Sequence, residues 1–157
     1  MDQKVLLGSI YGPNGTGREF YRPISRIVNK SNNYKVIMGG DWNTVWDRSP
    51  VASNLDTFHM ANIPNAINSG LLEKMCSEFG LFDPYRVLYP NRRNFTYSPF
   101  GHVRLNRSRL DFFVVSSNVL SDITECECKF AVTVKLYDHK SVSLVLGNVK
   151  YKKKSNA

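Results

Sequence analysis

Residues Lys35 to Asn43, KVIMGGDWN, decide how the rest of the sequence is read. Val36, Ile37 and Met38 form a short apolar run, with Asn33, Tyr34 and Lys35 before it and Gly39 and Gly40 after it, which is the pattern of a buried strand. The two glycines let a neighbouring backbone or a ligand come close. If the extended path continues past them, a period of two puts Asp41 and Asn43 on one side of the chain, within reach of one phosphate or one metal-bound water. The same two side chains suit a turn cap after a strand, and this stretch alone does not choose between the readings.

Outward from that centre, Lys4 to Ile10, KVLLGSI, reads as a strand running into the turn Tyr11-Gly12-Pro13-Asn14. Thr16 and Glu19 have the spacing of a capping box, and Phe20, Ile24, Ile27 and Val28 follow at helical spacing. Pro23 breaks or kinks this helix unless its start lies nearer Tyr21. Thr44 to Asn68 is a long polar loop of the kind that is functional or disordered rather than filler. Ser69 then precedes an apolar helical stripe, Leu71, Leu72, Met75, Cys76 and Phe79, with Gly80 at the C′ position. Asp83-Pro84 and Pro90-Asn91 mark turns.

The last third is strand-like. Asn94 to Ser98 alternates as a strand, and Ser108 to Ser116, SRLDFFVVS, is its expected partner. Between them Pro99 to Arg107 forms a basic connection, a finger that could project from a hairpin. Glu125 to Leu136 and Ser141 to Val149 are two further strand-like runs, joined by Tyr137-Asp138-His139-Lys140. There are no internal repeats, and this order of elements predicts an α+β layered fold with helices outside sheets.

With 157 residues and 42% apolar content, the chain suits one domain with a real core. No stretch is apolar enough to span a membrane, and the N-terminus lacks a signal-peptide pattern, so no membrane partner and an intracellular location are expected. Cys76, Cys126 and Cys128 are an odd number, with no second Cys or His pair at metal-ligand spacing, and read as free thiols. The net charge is +8. Lys150, Lys152, Lys153 and Lys154 supply half of it from residues 150–157, which read as a basic disordered tail, so residues 1–149 carry the remaining +4. A basic body with Arg92, Arg93, Arg104, Arg107 and Arg109 suits a polyanion.

Polar groups recur at strand ends. Tyr11 and Asn14 follow the first strand, Asp41 and Asn43 the second, and Asp138-His139 the joint between the last two. Asp111 lies inside an apolar run, where a carboxylate left unpaired costs several kcal/mol, and His139 is a natural partner for it. An Asp–His pair with a second Asp and an Asn holds the groups that phosphodiester hydrolysis requires.

IYGPN (10–14), GGDWN (39–43), FTY (95–97), SRLDFFVVS (108–116) and DHKSV (138–142), in this order, resemble the successive motifs of the endonuclease/exonuclease/phosphatase superfamily. The nearest resemblance is to the endonuclease domain of LINE-type retrotransposons, relatives of apurinic/apyrimidinic endonucleases and of DNase I. The resemblance implies a four-layer α/β sandwich of the DNase I-like type, Mg²⁺ or Mn²⁺ as cofactor, DNA as substrate, and nicking that leaves a 3′-hydroxyl for a reverse transcriptase domain of the same polyprotein. Action on DNA implies a nuclear location.

Carried onto this chain, the resemblance gives Tyr11 the scissile phosphate, Asp41 the attacking water, and Asn43 the phosphate or that water. It gives His139 a phosphoryl oxygen, Asp111 the fixing of the His139 tautomer, and Asp138 the metal. Asn14, Thr96, Arg104, Arg107, Ser108 and Arg109 become nucleic-acid contacts. In that superfamily an Asn and a metal-binding Glu precede the first of these motifs. Their absence here implies a partial sandwich lacking its N-terminal strands, from a truncated copy with reduced or no activity.

The rival reading is an inactive nucleic-acid-binding remnant. A small phosphoester substrate suits the arginine-rich finger less well than a duplex does. His59 and His102 read as polar surface or weak DNA contacts rather than ligands, and Trp42 and Trp46 as packing residues rather than base-stacking platforms.

Overall fold

Apolar residues on both sides of a strand require a layer on each face, and the middle of this chain has such strands. The computed structural model describes residues 4–46, 55–58, 66–99, 107–129 and 138–147. In chain order the elements are β1 (Val5–Tyr11), α1 (Arg18–Lys30), β2 (Lys35–Asp41), β3 (Thr57–Phe58), α2 (Ala66–Phe79), β4 (Leu81–Phe82), α3 (Pro84–Leu88), β5 (Arg107–Ser108), β6 (Asp111–Ser116), α4 (Ser117–Leu120), β7 (Ile123–Lys129) and β8 (Ser141–Leu146). The main sheet has the order β1-β2-β6-β4, with β1 and β2 parallel and the other pairings antiparallel. Two two-stranded sheets, the short β3-β5 and the longer β7-β8, complete the described strands.

The period of two divides the core. Val36 and Met38 of β2 and Phe112 and Val114 of β6 join Tyr21 and Val28 of α1 and Leu72, Met75 and Cys76 of α2 in one cluster. The alternate residues Ile37, Phe113 and Val115 meet Val119, Ile123 and Leu144 in a second cluster on the other face. Helices thus cover one face of the main sheet, and the β7-β8 pair with α4 covers the other, the layered α+β architecture expected. Trp42 is fully buried in the first cluster, stacked on Phe112 at 5.7 Å with its Nε1 donating to the Phe112 carbonyl at 3.1 Å. Trp46 meets the same ring edge-on. Both tryptophans pack.

Several local expectations are corrected. The capping box does not form, because α1 begins at Arg18 and its N-cap is Gly17, leaving Thr16 one residue too early. The Gly17 N–H is satisfied instead by Oδ1 of Asn68, buried on α2, whose Nδ2 donates to the Gly15 carbonyl. Pro23 lies inside α1, and Ile27 faces solvent while Tyr21 takes the inner position. Helix α2 begins at Ala66, so Ser69 is a buried interior residue rather than a cap, whereas Gly80 ends the helix at φ +58° as expected. Asp83 does more than mark a turn: its carboxylate caps α3 by accepting from the Tyr85 and Arg86 N–H groups. The strand expected over 94–98 is reduced to bridges at Tyr97, which pairs with both Ser108 and His139.

The three cysteines are free, and burial pushes the Cys126 thiol up to about 12. No helix among the described residues is long and apolar enough to cross a membrane. The finger residues 100–106, His59, His102, the run from 130 to 137 and the tail 150–157 lie outside the described residues.

Replacing Leu72, fully buried between α2 and the sheet, with Ala is expected to cost about 2–5 kcal/mol in urea unfolding. Leu7→Ala, on a side chain 74% exposed on β1, is expected to stay within about 0.5 kcal/mol of the parent. Equal losses from the two would contradict the assignment of sheet faces.

Candidate active site

Strands β1, β2 and β6 end level with one another. Tyr11 is the partner of Asp41, and Asp41 is the partner of Asp111, so one rung across three strands carries all three side chains. Directly opposed residues share a face of the sheet. The close approach needs glycine beside it: Gly40 has φ +143°, and a Cβ there would come within 2.1 Å of the Ile10 carbonyl oxygen. One residue past β1, the Gly12 N–H donates to the Asp41 carbonyl at 2.6 Å.

The extended path does not continue to Asn43. Asn43 takes φ +50°, its N–H donates to Oδ1 of Asp41 at 2.9 Å, and its Nδ2 donates to the Gly12 carbonyl at 2.7 Å. Asp41 and Asn43 therefore form the turn cap that was the alternative reading, and the cap itself ties the ends of β1 and β2 together. One amide hydrogen of Asn43 is engaged in that tie.

His139 joins the rung from the other layer. Its Nδ1 lies 2.8 Å from Oδ2 of Asp111, and its ring stacks obliquely against Tyr97 at 4.9 Å. Asp41, Asp111 and His139 each offer a ligand atom, all within 4.8 Å of one another. Asp138 is not one of those three donors; its carbonyl accepts from the Ser98 N–H, while its charge acts on both Asp41 and His139. Burial raises the pKa of Asp41 above the usual carboxylate range, and the like charge of Asp111 adds to the effect. The hydrogen bond to Asp111 raises the pKa of His139. The site thus pairs a carboxylate that holds a proton more readily than usual with an imidazole that stays charged to higher pH.

Several expected nucleic-acid contacts do not face solvent. Arg109 is 2% exposed: its Nε donates to Oδ1 of Asp56 at 2.7 Å, and its Nη2 donates to Asp83 at 2.5 Å. Burial alone favours the neutral guanidinium, but Asp83 and Asp56 outweigh it and hold Arg109 charged above its ordinary range. Arg86 also pairs with Asp56. Ser108 is fully buried under Tyr97, and Thr96 is 1% exposed. These three residues build the site's frame and are not surface contacts. Asn14 and Tyr11 are exposed, the latter 73%, Arg107 is part-buried on β5, and Arg104 lies outside the described residues.

Asp56 and Tyr97 had no role in the sequence reading. Asp56 lay in an undivided loop with its partner 53 residues away, and only the fold brings the two together. Tyr97 stood beside Thr96 in the FTY motif.

No protein-family model and no curated protein matches the sequence. Solved structures do match. The 3′-5′ exonuclease NExo from Neisseria meningitidis superposes with a TM-score of 0.73 at 15% identity, covering 90% of this chain and 60% of that one. A Neisseria NExo 3′ phosphatase bound to a product DNA hairpin gives 0.70 at 13% identity, over 89% of this chain and 60% of that one. The AP endonuclease LMAP from Leishmania major gives 0.68 at 18% identity, over 84% of this chain and 44% of that one. This chain has the DNase I-like fold of these enzymes and spans 60% or less of the length of each.

Arg109→Ala leaves Asp56 and Asp83 buried without a full counter-charge and is expected to cost about 3–5 kcal/mol in urea unfolding. The raised pKa of His139 gives a pH dependence of known sign. Its pair with Asp111 contributes fully below the ordinary imidazole value of about 6.5 and is lost as pH rises through the higher folded value. The urea midpoint is expected to fall across that window, and His139→Gln to remove that part of the fall. A rise in stability there would reverse the assignment.

Proposed function

We propose that this chain is a divalent-metal-dependent phosphodiester hydrolase acting on DNA, in the lineage of LINE-type retrotransposon endonuclease domains. The observation that carries the reading is the convergence of Asp41, Asp111 and His139 within 4.8 Å, on a rung that ends in an exposed Tyr11. These residues come from β1, β2, β6 and the segment before β8. The exonuclease, phosphatase and AP endonuclease whose fold the chain shares, and the motif order of the sequence, support the same chemistry.

In this reading Asp41 accepts a proton from the attacking water, its raised pKa improving it as a base near neutral pH. His139, its Nδ1 fixed by Asp111, presents Nε2 as a donor to a phosphoryl oxygen. Tyr11 lies at the same rung, placed to meet the scissile phosphate. A hard cation such as Mg²⁺ or Mn²⁺ would suit the carboxylate of Asp138 together with phosphate and water, and when bound it would supply positive charge to the phosphoryl group. The net charge of +8 draws in the polyanion, with Arg104, Arg107 and Asn14 as the expected contacts. A nick with a free 3′-hydroxyl would serve a reverse transcriptase domain in the same natural polyprotein.

Supercoiled plasmid incubated with the protein is expected to relax by single nicks in Mg²⁺ and to stay intact in EDTA. Asp41→Asn and His139→Ala are each expected to lower nicking by about 10²–10⁴-fold with unchanged circular dichroism. Salt-dependent DNA binding with no Mg²⁺-dependent nicking would replace this reading with that of an inactive nucleic-acid-binding remnant.

A further inference from the structure

The main-chain groups on either side of the Asp111–His139 pair converge on one side chain. Thr96 is 1% exposed, and its Oγ1 accepts two hydrogen bonds at 2.9 Å, from the N–H of Leu110 and the N–H of Asp111. Its carbonyl accepts from the N–H of Lys140 at 2.8 Å, immediately after His139. Its own N–H donates to the Ser108 carbonyl at 3.0 Å. The segment entering β6 and the segment entering β8 do not pair with each other at this point, so Thr96 is the bridge between them. Tyr97 and Ser98 extend the bridge by bonding to Ser108 and to the Asp138 carbonyl.

We infer that Thr96 is a positioning residue for the Asp111–His139 pair, its hydroxyl fixing the backbone from which Asp111 reaches His139. The inference rests on the reading above that this pair takes part in hydrolysis. The two buried N–H groups require an acceptor with two lone pairs: a hydroxyl meets both, while an isosteric methyl meets neither. Serine keeps the acceptor and loses only a methyl group. The 2.8 Å contact between Nδ1 and Oδ2 leaves little room for Asp111 to drift before the imidazole loses its orienting partner.

The test compares Thr96→Val with Thr96→Ser in the whole chain. The first readout needs no activity: an imidazole N–H bonded to a carboxylate gives a far-downfield proton NMR signal, assigned by its loss in Asp111→Asn. That signal is expected in the parent and in Thr96→Ser, and is expected to vanish or broaden in Thr96→Val while the remaining amide spectrum stays folded. The second readout is nicking, where Thr96→Val is expected to lower kcat by about 10- to 100-fold with KM unchanged and Thr96→Ser to stay close to the parent.

Retention of the signal and of kcat in Thr96→Val overturns the inference, as does a Thr96→Ser variant as damaged as Thr96→Val. If Thr96→Val does not fold, Thr96→Ala takes its place with the same expected losses and the same overturning result. If the parent protein does not nick, the hydrolase reading fails, and the NMR comparison still decides whether Thr96 positions the pair.

Discussion

Two carboxylates, Asp41 and Asp111, oppose each other on a single rung of the central sheet. Like charges directly opposite weaken a sheet, so the pairing survives because the surroundings answer it from both sides. His139 lies against Asp111, and the Asn43 N–H lies against Asp41, whose pKa is still raised, by burial first and by the like charge of Asp111 second. Gly40 follows from the same demand, since no Cβ fits where β2 turns toward the Ile10 carbonyl. The rung is stable as protein structure only with its neighbours in place, and it is chemically useful because they do not neutralise it completely.

A second ionic cluster beside it behaves in the opposite way. Arg109, Arg86, Asp56 and Asp83 balance two positive charges with two negative ones, and Arg109 sits over the rings of Phe112 and Tyr85 as well. This cluster is closed, and it anchors α3 and the start of β6. A buried guanidinium also contributes nothing to the outward field, so the attraction of this basic chain for a polyanion comes from its surface lysines and arginines.

The parts of this structure legible in the sequence are those governed by periods and by single residues. The continuous apolar runs in KVIMGGDWN and in SRLDFFVVS marked buried strands, and Gly80 marked the end of α2 because a left-handed residue there favours glycine. Asp111 announced its need of a partner, since a carboxylate in an apolar run has few inexpensive fates, and His139 stands 2.8 Å from it. What could not be read was any role set by a partner distant along the chain. The arginine of SRLD looked like a phosphate contact, yet the fold turned it inward onto Asp56 and Asp83. Thr96 looked like a nucleic-acid contact, yet the N–H groups of Leu110 and Asp111, at the entry to β6, bond to its hydroxyl. Asn43 was ambiguous for a local reason, because an Asx turn and an extended path place the same side chain differently.

The rung also sets an order of assembly. Asp41 pairs with Asp111, about seventy positions later, and the His139 that steadies the pair comes later still, so the pocket draws on three stretches far apart in the chain. Loops of that length close slowly compared with helices and hairpins, so the Asp41–Asp111 contact forms after the local elements beside it. A chain emerging from the ribosome therefore carries strands β1 and β2 and both long helices well before His139 emerges to complete the cluster with Asp41 and Asp111.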